Sequence, residues 1–393
     1  MALVDLSELL ARGVRGRRVL VRADLNVPLA DGAIRDDTRI RASLSTLRRL
    51  LAAGARVVVV SHLGRPKGVT RPELSLRPVA PRLAELLGTG VSFCESCIGP
   101  DAAAAIARLD NGELLFLENL RFHPGEEQND PDFAKALSER IDVYVNDAFG
   151  TAHRAHASTV GVTAYVSEVG AGDLLKSELD HLRVIREPVR PLLVVLGGSK
   201  VSDKLAVLEA LAPHADVLAI GGAMTYTFMA ARGEPTGDSL VERDRIDDAR
   251  RILCAADESG RQLLLPSDHV VATSLAAGLP TRTVVDIPDG FMGLDIGPET
   301  ARRYAREIAN AKTFFWNGPM GVFEVPAFAE GTRAVARAAA DSGAITVVGG
   351  GDSLAAINQM GVGNRITHLS TGGGASLEFV QGLELPGVAA LER

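Results

Sequence analysis

Short runs of β-branched and other apolar residues recur along the chain, and each run ends in polar, basic or glycine residues. Stretches with apolar positions at helical spacing, such as 44–51 and 82–87, lie between these runs. Strands that alternate with helices are typical of a parallel, doubly wound sheet. The pattern therefore predicts an α/β fold whose ligands lie beyond the carboxyl ends of the strands. The predicted strands of the first half, with the polar residues at their far ends, lie in residues 19–28, 56–61, 114–123 and 143–154.

A helical pattern separates two such halves. Residues 172–185 carry apolar positions at helical spacing and stop before Pro188, and the alternation of strands and helices resumes after Pro191. We therefore expect two doubly wound, Rossmann-like domains, each a three-layer αβα arrangement of a parallel sheet between helices. The first comprises residues 1–171, the connecting helix residues 172–187, and the second domain residues 188–376.

Basic residues follow the predicted strands of the first half. Period-two spacing places Arg22, Asp24 and Asn26 on one face at the end of the first strand. Each arginine alone fits a solvated surface position. Their repeated placement after strands instead favours a common cleft for a small, multiply anionic ligand, since guanidinium groups match carboxylate and phosphate geometry. The basic residues at these positions are Arg22, Arg39, His62, Arg65, Arg121 and Arg154.

The strands of the second half end in glycine, as at Gly197-Gly198 and Gly350-Gly351. Glycine-rich strand ends let phosphates and flat rings approach the backbone, so this half resembles a nucleotide domain. Lys200 and Lys204 are four residues apart, which predicts that both lie on one face of a helix beginning at the Gly-Gly turn. An anion between them would relieve their repulsion; the alternative is a solvated basic helix face.

Residues 344–357 read as a strand, a glycine turn and the start of a helix. The unpaired N–H groups of a helix start suit a phosphate. Asp352 would repel that phosphate unless a hard cation such as Mg²⁺ is shared between them. The alternative is that Asp352 or Ser353 only caps the helix.

Composition narrows the possible functions. With 393 residues, 46% hydrophobic and a formal net charge of -7, the chain is long enough for two cores and does not favour non-specific nucleic-acid binding. No apolar run reaches membrane-spanning length and no signal-peptide pattern is found, so we expect a cytoplasmic protein with no membrane partner. Cys94 and Cys97 form a C-x-x-C motif, but only Cys254 remains, which excludes a four-cysteine zinc site and leaves a redox pair open.

Two common nucleotide signatures are missing. No G-x-G-x-x-G with an acidic partner follows a predicted strand, and no G-x-x-x-x-G-K-[ST] is present. The first absence disfavours the NAD-dependent dehydrogenase that the fold class alone would suggest.

The strand-end motifs resemble those of the phosphoglycerate kinase family, in order and over the whole chain. In the first half they are Arg22-Ala23-Asp24-Leu25-Asn26-Val27-Pro28, Ser61-His62-Leu63-Gly64-Arg65-Pro66, Glu118-Asn119-Leu120-Arg121-Phe122, Asn146-Asp147-Ala148-Phe149 and His153-Arg154. In the second half they are Gly197-Gly198-Ser199-Lys200-Val201-Ser202-Asp203-Lys204, Gly293-Leu294-Asp295-Ile296-Gly297-Pro298, Trp316-Asn317-Gly318-Pro319, Gly350-Gly351-Asp352-Ser353 and Thr371-Gly372-Gly373-Gly374. Ser353 departs from the family, which more often has threonine there, but keeps the hydroxyl.

The resemblance implies reversible phosphoryl transfer from the acyl phosphate of 1,3-bisphosphoglycerate to MgADP, giving 3-phosphoglycerate and MgATP. It implies Mg²⁺ as the metal, a monomer, and a tail, residues 377–393, that returns to the first domain. Because each domain would hold one substrate, direct transfer implies domain closure. We expect hinges near Gly170-Ala171-Gly172 and Gly372-Gly373-Gly374.

The resemblance also implies roles for individual residues. The implied substrate-binding residues are Asp24, Leu25, Asn26, Arg39, His62, Leu63, Gly64, Arg65, Arg121 and Arg154. The implied nucleotide-binding residues are Lys204, Gly293, Asn317, Glu324, Gly350, Gly351, Asp352 and Ser353, with Asp352 on the metal. The implied catalytic residues are Arg39, Lys200, Gly351 and Gly374. The competing hypothesis is a non-catalytic nucleotide-binding protein on the same fold, which the retention of Arg39, Lys200, Lys204 and Asp352 disfavours.

Overall fold

A computed structural model describes residues 3–30, 32–276 and 278–392 of the chain. These residues form two compact units. Unit 1 contains the described residues up to Leu179 and those from Glu384 onward, and unit 2 spans Asp180–Leu383. The domain limits expected from the sequence stay a prediction, as does the return of the tail 377–393, whose last residue lies outside the described residues.

Unit 1 is built on a six-stranded parallel sheet in the order β5-β6-β4-β1-β7-β8. Its strands alternate with helices, as the sequence pattern predicts. The unit 1 strands are β1 (Arg18–Ala23), β2 (Leu29–Ala30), β3 (Ala33–Ile34), β4 (Arg56–Val60), β5 (Val91–Cys94), β6 (Leu114–Leu117), β7 (Val143–Asp147) and β8 (Glu168–Ala171), of which β2 and β3 pair as a separate antiparallel hairpin.

The first seven helices, all of which begin in unit 1, are α1 (Leu6–Arg12), α2 (Thr38–Ala52), α3 (Val79–Leu87), α4 (Pro100–Ala107), α5 (Pro124–Glu127), α6 (Pro131–Leu137) and α7 (Asp173–Arg186). Helix α7 is the connecting helix predicted from the sequence, and it begins in unit 1. The carboxylate of Asp147, at the end of β7, accepts hydrogen bonds from the first-turn N–H groups of Leu174 at 2.9 Å and Leu175 at 3.3 Å. These bonds satisfy donors that a helix start leaves without partners.

Unit 2 contains a second six-stranded parallel sheet, in the order β11-β10-β9-β15-β16-β17. This is the strand order of dinucleotide-binding doubly wound folds, in which the chain reverses direction between its first and fourth strands, here β9 and β15. A separate antiparallel sheet pairs β12 with β13 and β14. The unit 2 strands are β9 (Leu192–Leu196), β10 (Val217–Ile220), β11 (Gln262–Leu264), β12 (His269–Ala272), β13 (Arg282–Val284), β14 (Met292–Ile296), β15 (Thr313–Asn317), β16 (Ile345–Gly349) and β17 (His368–Ser370).

The remaining helices are α8 (Leu205–Leu211), α9 (Met224–Arg232), α10 (Ile246–Glu258), α11 (Pro298–Asn310), α12 (Glu330–Asp341), α13 (Gly351–Met360), α14 (Gly374–Val380) and α15 (Pro386–Ala389). Among the described residues, no helix combines the length and apolar character that crossing a membrane requires.

Each unit has its own apolar core. The unit 1 core packs α2 and α3 against the β1, β4 and β7 strands, with Val57 and Val145 fully buried. The unit 2 core packs α11, α12 and α13 against β9, β15 and β16, around the buried Trp316. Both central sheets are buried, which is why their strands read as nearly continuous apolar runs rather than as alternating ones. The polar residues are left to the strand ends, where the candidate sites lie.

Candidate active site

The first cavity lies at the carboxyl ends of β1, β4, β6 and β7 in unit 1 and has a volume of about 200 Å³. In this sheet β1 is flanked by β4 on one side and β7 on the other, so the cavity lies where the strand order reverses. Ligands of doubly wound sheets bind at such points. The cavity is lined by Asp24, Asn26, Arg39, His62, Gly64, Arg65, Arg121, Gly150, Thr151, His153 and Arg154.

Arg39, in the first turn of α2, is held by the one carboxylate that lines this cavity. Its Nη1 donates a short hydrogen bond to Oδ2 of Asp24. The other oxygen of Asp24, Oδ1, is buried and has no hydrogen-bond partner among the described residues. An unpartnered buried acceptor is costly, so this oxygen is available for a hydroxyl donor on a ligand.

Arg121 is the most deeply buried arginine of the cavity lining, at 5% exposed. Its Nη1 donates to the carbonyl oxygen of Gly64 at 2.9 Å, and its Nε lies 3.3 Å from Oε1 of Glu127. Burial lowers the pKa of Arg121, while Glu127 acts in the opposite direction. An arginine remains charged after such a shift, so Arg121 brings a positive charge into a poorly hydrated place. That charge would bind an anion strongly.

The loop after β4 carries His62, Gly64 and Arg65 to the cavity. The N–H of Gly64 donates to Oδ1 of Asn26 at 2.9 Å, which joins the ends of β1 and β4. Gly64 has a φ of 62°, and a Cβ there would press on Leu74, so this turn requires glycine. Arg65 and Arg154 are exposed at the rim. The cavity therefore combines fixed interior charges with exposed arginines.

The structure brings together most, but not all, of the predicted unit 1 residues. Leu25 and Leu63 do not line the cavity: their side chains are buried at 0% and 2% exposed, and their backbone N–H groups donate to Ser61 and Asn119. Sequence analysis missed Gly150, Thr151 and His153, which line the wall after β7. Their position directly after a predicted strand was the available signal.

The second cavity lies at the carboxyl ends of β9, β10 and β15 in unit 2, with a volume of about 560 Å³. A Cβ at Gly197 would overlap the carbonyl oxygen of Pro319, and one at Gly318, whose φ is 96°, would overlap that of Gly197. The two strand ends therefore approach each other closely because neither carries a side chain. The lining residues are Gly198, Ser199, Gly222, Ala223, Tyr226, Asp238, Leu240, Leu275, Met292, Gly293, Leu294, Pro319, Gly321, Val322, Glu324 and Asp352.

This cavity has a mainly apolar wall with few charges. Gly293 lies against Tyr226, whose hydroxyl a Cβ at that position would overlap, and its N–H donates to Ser239 Oγ at 2.9 Å. Leu240, Leu275 and Met292 form apolar surface near it. An apolar wall that also carries the carboxylates of Asp238, Glu324 and Asp352 fits a planar heterocycle that carries a hydroxylated group.

Lys204 and Asn317 lie behind the glycine loops rather than on the cavity wall. The Nζ of Lys204 donates a short hydrogen bond to Oδ1 of Asn317, and the Asn317 amide lies against Gly350. Burial lowers the pKa of Lys204, with Asp203 and Asp352 opposing that shift. The ammonium group is thus close enough to Asp352 to feel its charge, and it is partly withdrawn from water.

The expectation that Lys200 and Lys204 share one helix face is wrong. Helix α8 begins at Leu205 with Lys204 as its N-cap residue, so Lys200 precedes the helix and is exposed. The segment between them is held as a turn, because the N–H and hydroxyl of Ser202 donate to Glu242 at 3.1 and 2.5 Å. The hydrogen bonds from Ser202 to the distant carboxylate of Glu242 thus prevent the helix that the four-residue spacing of the two lysines predicts.

Helix α13 begins after Gly350, whose φ is 91°, and no side chain caps it. Asp352 and Ser353 therefore do not act as caps. The buried hydroxyl of Ser353 accepts a hydrogen bond from the N–H of Gly318 at 2.7 Å, which ties this helix to the loop after β15. Asp352 is exposed and lines the cavity, with no hydrogen bond to any residue in the described part of the chain.

Of the predicted unit 2 residues, Gly293, Glu324 and Asp352 line the cavity, while Lys200, Lys204, Asn317, Gly350, Gly351, Ser353 and Gly374 do not. The predicted roles of all of these residues stay predictions. Sequence analysis missed Leu240 and Leu275, since apolar residues in loops carry no strand-end signal. It also missed Tyr226 and Asp238.

The donor set limits what metal the chain could hold. Within residues 3–30, 32–276 and 278–392, no group of three or more His, Cys, Asp or Glu side chains is placed to ligate an ion. Within the lining of the unit 2 cavity, Asp352 offers a carboxylate at a helix start. Such a site fits Mg²⁺, which keeps several waters and commonly binds through one or two carboxylates and the substrate's own phosphates. Cys94 and Cys97 are free thiols, and burial raises the pKa of Cys97, which disfavours its thiolate.

Together, these features define a class of protein. One unit offers a small arginine-lined cavity for a polyanion, and the other offers a glycine- and apolar-lined cavity with a metal-suited carboxylate. This is an α/β protein of the small-molecule kinase type.

Comparisons with known proteins narrow the class. The model of the family "Phosphoglycerate kinase" matches residues 9–383. A phosphoglycerate kinase of Rubrobacter xylanophilus is 55% identical over 381 residues, covering 96% of both chains, and that of Acaryochloris marina is 52% identical over 399 residues, covering 100% of both. The solved phosphoglycerate kinase of Coxiella burnetii superposes with a TM-score of 0.91 at 40% identity, covering 99% of both chains.

The chain belongs to the phosphoglycerate kinase family. Its members are phosphotransferases with a carboxyl group as acceptor, and the predicted enzyme class and α/β fold class are confirmed. No relative in these comparisons supports a non-catalytic nucleotide-binding protein, and none supports a dehydrogenase.

Proposed function

We propose that the chain catalyses reversible transfer of the acyl phosphate of 1,3-bisphosphoglycerate to MgADP, giving 3-phosphoglycerate and MgATP, as a cytoplasmic monomer in glycolysis and gluconeogenesis. The observation that carries the proposal is the unit 1 cavity, in which four arginines surround one unpartnered carboxylate oxygen. 3-Phosphoglycerate has a phosphate, a carboxylate and one hydroxyl. Its anionic ends match the arginines, and its hydroxyl matches Oδ1 of Asp24.

Each cavity residue has a role in this proposal. Arg65, Arg121 and Arg154 bind the non-transferred phosphate, with Arg121 as the buried anchor. Asn26 and Gly64 shape the cavity through their mutual hydrogen bond. Arg39 lies near the carboxylate end, where its pairing with Asp24 holds the guanidinium in one orientation. Leu25 and Leu63 then contribute to substrate binding only through their backbone atoms, since their side chains are buried.

The nucleotide occupies the unit 2 cavity. Its base lies on the apolar wall beside Gly293, and Glu324 lies near the ribose hydroxyls. The phosphates reach the loops around Lys204, Asn317 and Gly350, where helix α13 starts. Ser353 supports this loop from beneath rather than by direct contact, because its hydroxyl is engaged by Gly318.

Asp352 is the residue that would hold Mg²⁺. When bound with the nucleotide, Mg²⁺ offsets the charge of the phosphates during transfer. The proximity of Lys204 to Asp352 supports the same local charge balance, since an ammonium and a metal would share the anionic oxygens.

The transfer itself requires positioning and charge stabilisation rather than a covalent enzyme intermediate. Arg39, Lys200 and the backbone amides of Gly351 and Gly374 would face the oxygens of the transferring group. Direct in-line transfer needs reacting atoms about 3–3.5 Å apart. Because the two substrates bind different units, the proposal includes a closed state that also excludes water.

A coupled assay tests the proposal. The purified chain is mixed with MgATP and 3-phosphoglycerate, and the product is reduced by glyceraldehyde-3-phosphate dehydrogenase with loss of NADH absorbance. We expect NADH loss that requires both substrates and Mg²⁺. A chain that binds ATP but never produces this signal would instead be a non-catalytic nucleotide-binding protein.

A further inference from the structure

A buried polar network lies beneath the unit 1 cavity. Arg22, Glu126 and Ser158 are 0% exposed, and His62, which reaches the cavity, is 4% exposed. Arg22 lies on β1, His62 follows β4, and Glu126 lies on α5. Burying charges at this depth is costly unless each group has a partner. Arg22 must therefore have hydrogen-bond partners within this network.

The contact between Arg22 and His62 determines which ring nitrogen of His62 carries the proton. The Nη2 of Arg22 lies 3.2 Å from Nδ1 of His62. A guanidinium has only donors, so Nδ1 of His62 must be the acceptor in this bond. A neutral imidazole with an accepting Nδ1 carries its proton on Nε2. A doubly protonated ring would place two N–H groups against each other and lose the bond.

The rest of the network holds Arg22 in this position. Its Nε donates to Oγ of Ser158 at 2.8 Å, and Ser158 in turn donates to Oε1 of Glu126 at 2.6 Å. The N–H of Ser158 donates to the other oxygen of Glu126 at 3.0 Å. The Nη1 of Arg22 donates to the carbonyl oxygen of Ala23 at 2.5 Å. All three nitrogens of the guanidinium are thus used, and Glu126 balances its charge.

We propose that Arg22 is a positioning residue that fixes His62 as a neutral ring with its proton on Nε2, so that His62 presents an N–H donor to the anionic substrate. This inference rests on the proposed function, because that function assigns the substrate to the cavity. The arginines supply the charge that binds the anion, and His62 supplies a directed neutral donor. Substrate binding through His62 then does not depend on pH near neutrality.

The surroundings of His62 agree with a neutral ring. Burial lowers the pKa of His62 well below its ordinary value, and Arg22, Arg121, Arg39 and His156 lower it further. The only carboxylate facing it among the described residues is that of Asp24, whose Oδ1 is 4.0 Å from Nδ1. That distance is too long for a hydrogen bond, and Asp24 is itself paired with Arg39.

Nitrogen NMR tests the ring state directly in the full, ligand-free chain. The protein is labelled with ¹⁵N-histidine, and the His62 signals are identified by their absence in the His62→Gln variant. We expect the neutral Nε2–H pattern for His62 at every pH between about 5.5 and 8. A wild-type His62 that carries its proton on Nδ1, or that is doubly protonated at neutral pH, would overturn the proposal.

The Arg22→Lys variant tests the positioning role. Lysine keeps the buried positive charge beside Glu126, but its single nitrogen cannot occupy both the Nε position that bonds Ser158 and the Nη2 position that bonds His62. We expect His62 to become a mixture of its two neutral tautomers. We also expect the KM for 3-phosphoglycerate to rise about tenfold with kcat nearly unchanged, because the hydrogen bond from His62 to the charged substrate is weakened. The matched control is Arg18→Lys, at the other end of β1, where Arg18 pairs with Asp142 away from the cavity.

A double-mutant cycle completes the test. If Arg22 acts through His62, Arg22→Lys will raise the KM much less in the His62→Gln background. Equal factors in both backgrounds would refute the positioning role. Should Arg22→Lys fail to fold, Ser158→Ala is used in its place. This variant removes the hydrogen bond that holds the Nε of Arg22, and the same NMR measurement shows whether the His62 tautomer then becomes mixed. A wild-type chain inactive in the coupled assay would instead contradict the proposed function, while the NMR result would still stand.

Discussion

The two cavities differ in what their walls offer a ligand. The unit 1 cavity, at about 200 Å³, is walled by charged side chains that hold one another, as Asp24 holds Arg39. The unit 2 cavity, at about 560 Å³, is walled mainly by glycines and apolar side chains, with three carboxylates among its lining residues. A small, flexible polyanion needs directed charge, whereas a nucleotide offers a flat ring and a chain of phosphates. The contrast supports the proposal that each sheet binds one of the two substrates at its own strand ends.

A consequence is that substitutions in the two units should damage different kinetic quantities. Under the proposed function, side-chain truncation in unit 1 removes a positive charge that would bind the substrate. Truncation of the unit 2 carboxylates leaves the glycine loops in place and would alter the proposed metal or ribose contact.

The largest effect is expected at Arg39. We expect Arg39→Ala to lower kcat, with a rise of about 2–4 kcal/mol in activation free energy, because in the proposed mechanism its charge faces oxygens whose negative charge shifts during transfer. Lys200→Ala should act similarly. The comparison variant is Arg65→Ala, at the exposed rim, which should mainly raise the KM for 3-phosphoglycerate. Steady-state kinetics distinguish these results: a rise in KM alone for Arg39→Ala would assign it to ground-state binding.

A smaller effect is expected at the carboxylate of the other unit. Asp352→Ala should lower turnover about 10- to 100-fold at fixed Mg²⁺, because Asp352 is the residue proposed to hold the metal. The dissociation constant of 3-phosphoglycerate, measured by calorimetry without nucleotide, should stay at the wild-type value. Equal losses in both quantities would show that the two units do not divide the substrates between them.

In each unit, a buried carboxylate with a raised pKa accepts hydrogen bonds from the start of a helix, and these two carboxylates predict a pH effect. Asp147 caps α7, and Oδ2 of Asp295 accepts from the N–H of Gly331 in α12 at 2.7 Å. Burial raises the pKa of each to about 7. Because the folded state holds these protons more tightly, the associated stability is fully present below the unfolded pKa of about 3.9 and is lost as the pH rises through about 7.

The variants Asp147→Asn and Asp295→Asn should therefore gain stability relative to wild type as the pH rises. Between pH 5 and pH 7 we expect a relative gain of about 2 kcal/mol for each, measured by urea unfolding. The buried histidines contribute equally to variant and wild type and cancel in this difference. A difference that is constant with pH would mean that the carboxylates are ionised in the folded state. Asp147, whose Oδ2 has no partner among the described residues, should show the clearer effect.

Sequence reasoning succeeded unevenly in the two units, and the reason is physical. Basic residues such as His62 and Arg121 are visible in a sequence as departures from an apolar strand, and parallel topology alone brings them to one sheet edge. The apolar wall of unit 2 depends on loops, such as those of Leu240 and Leu275, whose positions follow from tertiary packing. The helix start at Leu205 was missed for a similar reason, because the bond between Ser202 and Glu242 joins distant parts of the chain. Burial of Leu25 and Leu63 likewise depends on packing that the motif does not reveal.

The smallest expected effect concerns motion, and it follows from the division of substrates between the units. Direct transfer requires reacting atoms within about 3–3.5 Å, so a competent complex must bring both ligands together and exclude water. MgADP and 3-phosphoglycerate form a suitable test pair, because neither carries a phosphoryl group that the other can accept. We expect small-angle scattering to give a smaller radius of gyration with both ligands than with either alone. Asp352→Ala serves as the control, since weaker MgADP binding should shift the compaction to higher nucleotide concentration without changing its size. An unchanged radius in the ternary complex of a fully active protein would refute closure, together with the hinges predicted at Gly170–Gly172 and Gly372–Gly374.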